Sequence, residues 1–307
     1  MKIAHLSDLH VCIKNKAENL EHTERLINFA LEKGADHLVI TGDLTNMAET
    51  KDFLAIRDLF ARYDLLDSNK LSLVIGNHDI FGGVYLAEDI LTFPQNCQML
   101  DFGKKVIEFK NYFFEVFENI YTPVKDMIYP YAKKIGNIVL VGLNSCTHYS
   151  WWKNPFASRG DVEKQQIEGV RNIFKNNMFK HSPKIVMLHH YFGGGTAEYS
   201  MKNKSFIHKV ESFCGRMKNK NRLLRLFKKI NVDLVLHGHL HESFEYWRKG
   251  LHFLNAGGSV DKNKPGELKI NFVTINQDSI RTEIRTITRK VKPQYHRVFP
   301  RKLALVN

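Results

Sequence analysis

The chain alternates between short apolar-rich runs and longer stretches in which apolar residues recur at helical spacing. Lys2 to Leu6, His37 to Thr41, Leu71 to Ile75, Ile138 to Leu143, Lys184 to Leu188 and Val232 to Leu236 are rich in Ile, Val and Leu, with little polar alternation. Runs of that kind are expected of strands buried on both faces. Between the first two, Leu20, Ile27 and Leu31 predict a helix from about Ala17 to Lys33, with Gly34 at its C-terminal cap. Phe53, Ile56 and Phe60 mark a second amphipathic helix. Ile167, Val170 and Phe174 mark a third, which Asp161 is expected to cap. Strand and helix in strict succession predict parallel crossover units. Leu251 to Leu254 leads to Asn255-Ala256-Gly257-Gly258, and residues 268–287 alternate like antiparallel strands.

Other stretches are less regular. From Phe81 to Gly136 the chain carries Phe109, Tyr112, Phe113, Phe114, Phe117, Tyr121, Tyr129 and Tyr131. This density predicts core strands, with the wall of a substrate cleft as the other reading. His148 to Arg159, including Trp151 and Trp152, reads as a loop, and Gly193-Gly194-Gly195 as a turn or a phosphate cradle. Residues 202–229 are rich in Lys and Arg, and Leu223, Leu226 and Phe227 draw an apolar helical stripe through them. An amphipathic surface helix is expected there, with membrane or nucleic-acid contact as the alternative.

Composition adds bounds. With 307 residues and 43% hydrophobic content the chain can bury a substantial core. Its net charge of +13 favours anionic partners, among them phosphate esters, nucleic acid and anionic membrane surfaces, or serves solubility alone. Cys12, Cys97, Cys146 and Cys214 form no closely spaced pair, so reduced thiols in a cytoplasmic setting are expected. Residues 1–20 carry His5, Asp8, His10 and several lysines and read as neither a signal peptide nor a membrane span.

The chemistry lies at the ends of the apolar runs. Asp8-Leu9-His10, Gly42-Asp43, Gly76-Asn77-His78-Asp79, His189-His190 and Gly238-His239-Leu240-His241 each follow a predicted strand. Ligand sites of open α/β sheets form beyond the carboxyl ends of strands. In extended chain, residues two apart point the same way, so Asp8 with His10, and His239 with His241, are each expected to aim two ligands at one place. Carboxylate, imidazole and amide oxygen together suit Mn, Fe, Zn or Co. His5 and His237 fall within strands, where packing or support is expected, and His190 is expected to line or support the site. His148 sits in a loop with no assigned role. Asn144 and Asn255 are expected to be structural hydrogen-bonding residues.

This series of five motifs, in this order, resembles the calcineurin-like metallophosphoesterases over about residues 2–258. The resemblance implies a two-sheet α/β sandwich, four layers deep (αββα), with mixed sheets flanked by helices. With no internal repeat and no clear linker, one such domain over residues 1–280 is expected, followed by a tail over 281–307 that its Lys and Arg residues make basic. The resemblance implies two divalent or mixed-valence metal ions, one held by Asp8, His10 and His241, the other by Asn77, His189 and His239, with Asp43 bridging them. In that reading a hydroxide between the metals attacks phosphorus. His78 assists the leaving group without binding metal, and Asp79 orients it. Leu44-Thr45, the run Val141-Gly142-Leu143-Asn144-Ser145 and the Arg159-Gly160 turn are most similar to bacterial class III cyclic nucleotide phosphodiesterase-like proteins. A DNA nuclease or a lipid-precursor pyrophosphatase of the same superfamily, or a catalytically silent metal-binding scaffold, are the alternatives.

Overall fold

Each apolar-rich run forms a strand in the computed structural model, which describes residues 1–83, 87–193, 215–260, 266–276 and 279–288. The strands are β1 (Lys2–Leu6), β2 (His37–Thr41), β3 (Leu71–Val74), β4 (Tyr131–Ile135), β5 (Ile138–Gly142) and β6 (Lys184–Met187), then β7 (Leu234–His237), β8 (Ser243–Arg248), β9 (Leu251–Ala256), β10 (Glu267–Ile275) and β11 (Ile280–Thr288). The helices are α1 (Glu18–Glu32), α2 (Thr50–Arg62), α3 (His78–Phe81), α4 (Ala87–Met99), α5 (Phe102–Tyr112), α6 (Lys164–Lys175), α7 (Asn177–Lys180) and α8 (Lys220–Lys229), with a 3-10 turn at Phe114–Phe117.

Two mixed sheets result, flanked by helices as the α/β sandwich requires. The first has the order β11-β10-β1-β2-β3 and the second β4-β5-β6-β7-β9-β8. β1, β2 and β3 are parallel, as are β5, β6, β7 and β9. Alternation within a buried strand explains how one run serves two layers. Along β5, Ile138 and Leu140 join a core shared by both sheets, whereas Val139 and Val141 join a second core on the opposite face. Leu234 and Leu236 divide from Val235 in the same way. α6 closes the second core with Ile167, Val170 and Ile173, each worth about 1.5–3 kcal/mol when fully buried.

Two edge strands, β3 and β4, tie the sheets together on one side. The Tyr131 hydroxyl donates to the Leu73 carbonyl at 2.7 Å. The buried Lys133 ammonium donates to the carbonyls of Leu71, Val116 and Ser68 at 2.7, 2.8 and 3.2 Å. Three donors meet three acceptors, which offsets the cost of bringing the charge inside.

The structure departs from the sequence expectations in several places. Residues 87–112 form helices α4 and α5 rather than strands. Their aromatic residues still pack as core, with Phe53 stacked on Tyr112 at 4.7 Å and edge-on to Phe109 at 6.1 Å. Glu163, not Asp161, precedes α6; Asp161 accepts instead from the Val162 amide and the Asn219 side chain. Residues 281–288, expected to begin a tail, lie in β11 and pair with β10 throughout. α8 buries Leu223, Leu224, Leu226 and Phe227, so its apolar stripe is consumed by the core and its basic residues face outward. Gly194, Gly195, Cys214, residues 202–214 of the basic segment and 289–307 of the basic tail lie outside the described residues. Among the described residues no helix is long and apolar enough to cross a membrane.

His37 opens β2 with Nδ1 donating to the Asn69 carbonyl at 2.7 Å and Nε2 accepting from Ser72 Oγ at 2.8 Å. Burial disfavours its charged form and pushes its pKa down to about 4. The unfolded chain therefore takes up this proton first, and stability falls as pH drops from about 6.5 towards 4. Between pH 7 and pH 5 the native protein is expected to lose about 2 kcal/mol that a His37→Gln variant does not lose. Urea unfolding midpoints of both proteins at the two pH values measure the difference.

Candidate metal centre

Five strands of the two sheets end at one seam. β1 runs into Asp8 and His10, β2 into Asp43, β3 into Asn77 and His78, β6 into His189, and β7 into His239 and His241. The backbone there is not extended. Asp8, His10, Asp43, His239 and His241 have φ of 55°, 44°, 52°, 75° and 45°, all in the left-handed region. The side chains converge because the chain turns sharply, and the expectation built on extended geometry is corrected accordingly. His239 and His241 are accordingly split between two clusters.

In the first cluster Asp8, His10 and His241 bring one donor atom each within 4.8 Å of one another; in the second, Asp43, His189 and His239 do the same. His10 and Asp43 also share a third such set with His78, so the two clusters adjoin. In the second, His189 Nδ1 donates to the Thr41 carbonyl at 2.7 Å, which fixes the ring and leaves Nε2 for the site. That Nε2 lies 3.1 Å from Asp43 Oδ2, 3.2 Å from Asn77 Oδ1 and 3.1 Å from His239 Nδ1. Polar atoms held this close need positive charge among them, supplied by a proton on His189 Nε2 or by a cation that replaces it. Donors about 3 Å apart also match adjacent positions around a cation with bonds of about 2.1 Å. In the first cluster His10 Nε2 lies 3.9 Å from both Asp8 Oδ1 and Asp43 Oδ2, and His241 Nε2 lies 4.0 Å from Asp8 Oδ1. These spacings are too long for hydrogen bonds. Both nitrogens of the buried His10 ring lack a hydrogen-bond partner, as a ligand nitrogen without its cation would. The residues fit a pair of cations.

Electrostatics follow from burial. Asp8 is fully buried, and its pKa rises to about 6 although the His239 amide donates to both oxygens, at 3.1 and 3.0 Å. Burial would also raise Asp43, but His189 and His78 outweigh it and hold the carboxyl well below its ordinary range. Burial opposes a charged His189, yet neighbouring Asp43 pushes the ring up to about 9. His10 and His239 are held neutral chiefly by burial. Neutral His10 and His239 and ionised Asp43 are in the protonation states that bind cations, whereas His189 must release the proton that Asp43 stabilises on it.

His78 donates its amide to Asp43 Oδ1 at 2.8 Å, and its Nδ1 donates to the Asn46 carbonyl at 3.1 Å. The ring is half-buried and stands edge-on to His10 at 4.6 Å. Asp79, expected to orient this ring, is committed elsewhere. Its carboxylate accepts from the Thr45 amide and hydroxyl at 2.9 and 3.3 Å and from the Gly76 amide at 3.0 Å. It clamps the β2 and β3 loops together, and burial raises its pKa to about 7. The tight fit extends to Gly76 itself, where a Cβ would overlap the Asp43 amide and carboxylate.

His5 and His237 lie within strands as expected, bonded to Thr41 Oγ1 at 2.9 Å and the Tyr246 hydroxyl at 2.8 Å. His190 Nδ1 pairs with Ser145 Oγ at 2.8 Å, and the same Oγ accepts from the His189 and His190 amides at 3.2 Å each. Asn144 is structural, exchanging backbone hydrogen bonds of 3.0 and 2.9 Å with Gln166. The Asn255 side chain donates to the Glu242 carbonyl. Sequence reasoning missed the supporting roles of Thr41, Asn46 and Ser145. The first two act through carbonyls, which no residue type signals, whereas Ser145 is a hydroxyl just past β5.

None of the curated proteins compared with the chain matches it significantly by sequence. Among solved structures it resembles a dimetal phosphatase from Danio rerio, with a TM-score of 0.57 and 13% identity over 94% of this chain and 99% of that one. It also resembles a candidate 5′-nucleotidase from Staphylococcus aureus, with a TM-score of 0.50 and 14% identity over 96% of this chain and 56% of that one. At such identities the likeness is one of fold. The sequence model of the calcineurin-like phosphoesterases matches residues 1–243, a span that contains every side chain of both clusters, and the chain belongs to that family.

Proposed function

We propose that this protein is a dinuclear-metal-dependent phosphohydrolase that cleaves a phosphodiester or phosphomonoester. The observation that carries the reading is the adjacency of two donor clusters through His10 and Asp43 at the seam of the two sheets. Asp8, His10 and His241 would hold one ion, and Asn77, His189 and His239 the other. Asp43 would serve both, because its Oδ2 lies between the clusters, 3.1 Å from His189 Nε2 and 3.9 Å from His10 Nε2, while the His78 amide holds Oδ1. Mn, Fe, Zn and Co all suit this mixture of carboxylate, imidazole and amide donors. When bound, such a pair supplies acidified water and neutralises charge on the phosphate.

The remaining chemistry belongs to the chain. Thr41 holds His189 with Nε2 inward, and Asp79 holds the β2 and β3 loops at fixed separation. His78 is fixed at Nδ1–H by the Asn46 carbonyl, so it is in the imidazolium form that Nε2–H would give its proton to a departing oxygen or steady charge on the phosphate. Its partial exposure gives a substrate access to it. The net charge of +13 draws anionic esters towards the protein.

A panel assayed with added manganese tests the reading. It compares nitrophenyl phosphomonoesters and phosphodiesters, cyclic nucleotides, single- and double-stranded DNA, and nucleotide-lipid pyrophosphates. Protein that is loaded with metal yet inert on every ester would leave a scaffold as the function. His78→Ala is expected to retain both metals while turnover falls about 10²–10⁴-fold; metal analysis beside steady-state rates checks both halves. Asp43→Asn is expected to weaken retention of both ions together, and two ions surviving dialysis against a chelator would contradict a shared ligand.

A further inference from the structure

The loop joining β5 to α6 is more tightly built than a passive connection. Asn154, 4% exposed, sits at its centre. Its amide donates to Thr147 Oγ1 at 3.1 Å and the His148 carbonyl at 3.3 Å, while its Oδ1 accepts from the Arg159 amide at 2.9 Å. Ser150 and Asn154 exchange backbone hydrogen bonds of 3.4 and 2.8 Å. Arg159 Nη1 donates to the Lys153 carbonyl, and Thr147 Oγ1 to the Arg159 carbonyl, both at 2.9 Å. The base of the loop is anchored on α5, with the His148 and Phe102 rings 4.4 Å apart.

What this rigid frame displays is apolar. Trp151, Trp152 and Phe156 are 58%, 93% and 62% exposed, and Lys153 and Pro155 between them are exposed as well. Tyr149 braces Trp151 edge-on at 6.1 Å. Indole rings left in water on a pre-organised tip mark a contact surface. The chemistry of the tip narrows its partner. Tryptophan joins a broad apolar body to one N–H donor, a combination suited to the boundary between acyl chains and headgroups. Lys153 stands beside the two indoles, and the chain as a whole carries +13, which complements anionic headgroups. α8, the other basic amphipathic element, has no apolar face left for lipid.

We propose that the tip formed by Trp151, Trp152, Lys153 and Phe156 inserts into the interfacial layer of an anionic membrane and holds the protein there peripherally. The proposal does not depend on the hydrolase reading. It is tested by floating the full chain with vesicles of phosphatidylcholine alone and of phosphatidylcholine mixed with phosphatidylglycerol, while following tryptophan emission. The wild type is expected to float with the mixed vesicles and to shift its emission to the blue. The Trp151→Ala/Trp152→Ala variant is expected to bind at least about tenfold more weakly, with an unchanged thermal unfolding midpoint. Lys153→Glu is expected to weaken binding to the mixed vesicles only. Wild type that stays unbound with both compositions, or a double variant that floats as well as wild type, overturns the proposal. So does an emission shift given by single-stranded DNA and not by vesicles, which would assign the indoles to base stacking.

Discussion

The structure depends on keeping carboxylates and imidazoles out of water at the seam where two sheets meet. Asp8, Asp43 and Asp79 are all but fully buried there, beside His10, His189 and His239. An isolated buried carboxylate is costly, so every oxygen needs a donor or a cation. Backbone amides supply part of the answer: His239 serves Asp8, His78 serves Asp43, and Thr45 and Gly76 serve Asp79. To offer amides inward, the loops must turn at once after each strand, and residues with side chains adopt left-handed backbone to do so. Each such residue costs on the order of 1 kcal/mol. Glycine would relieve that strain and remove the donor atom with it. The cores on either side of the seam carry the deficit.

The sheets therefore do more than frame the site. β1, β2 and β3 deliver Asp8, His10, Asp43, Asn77 and His78 from one sheet, and β6 and β7 deliver His189, His239 and His241 from the other. The spacing of the donor atoms at the seam is set by how the sheets dock. Lys133 and Tyr131 fix that docking at the β3–β4 side, and the Asp79 clamp fixes the two loops nearest Asp43. A shift of either sheet by the width of one bond would separate His189 from Asp43, now 3.1 Å apart.

Much of this was legible in the sequence where a signal repeats. The central strands announced themselves as apolar runs because they are buried on both faces. The candidate ligands announced themselves because polar clusters at the ends of five of six apolar runs are improbable without a shared purpose. Legibility failed where tertiary context decided. α4 contains Pro94 within the helix, and the aromatics of 102–117 fit strand and helix patterns equally well. Asp161 has the chemistry of a cap, yet Asn219 and the Val162 amide claim it. Asp79 neighbours His78 in sequence, but a helical turn begins there and sends the two side chains to different partners. The inward aim of His239 and His241 was read from extended geometry, whereas left-handed turns accomplish it.

The place of β1 has a consequence for how the chain is made. β1 precedes every other described strand in the chain, yet in its sheet it lies between β2 and β10, with Lys2 opposite Thr274 and His5 opposite Asn271. A nascent chain can complete only one side of β1 until β10 has left the ribosome. The strand that leads into Asp8 and His10 thus waits with an open edge until β10 is made. A message cut short before residue 267 would yield a product with β1 unpaired on that side, a template for aggregation.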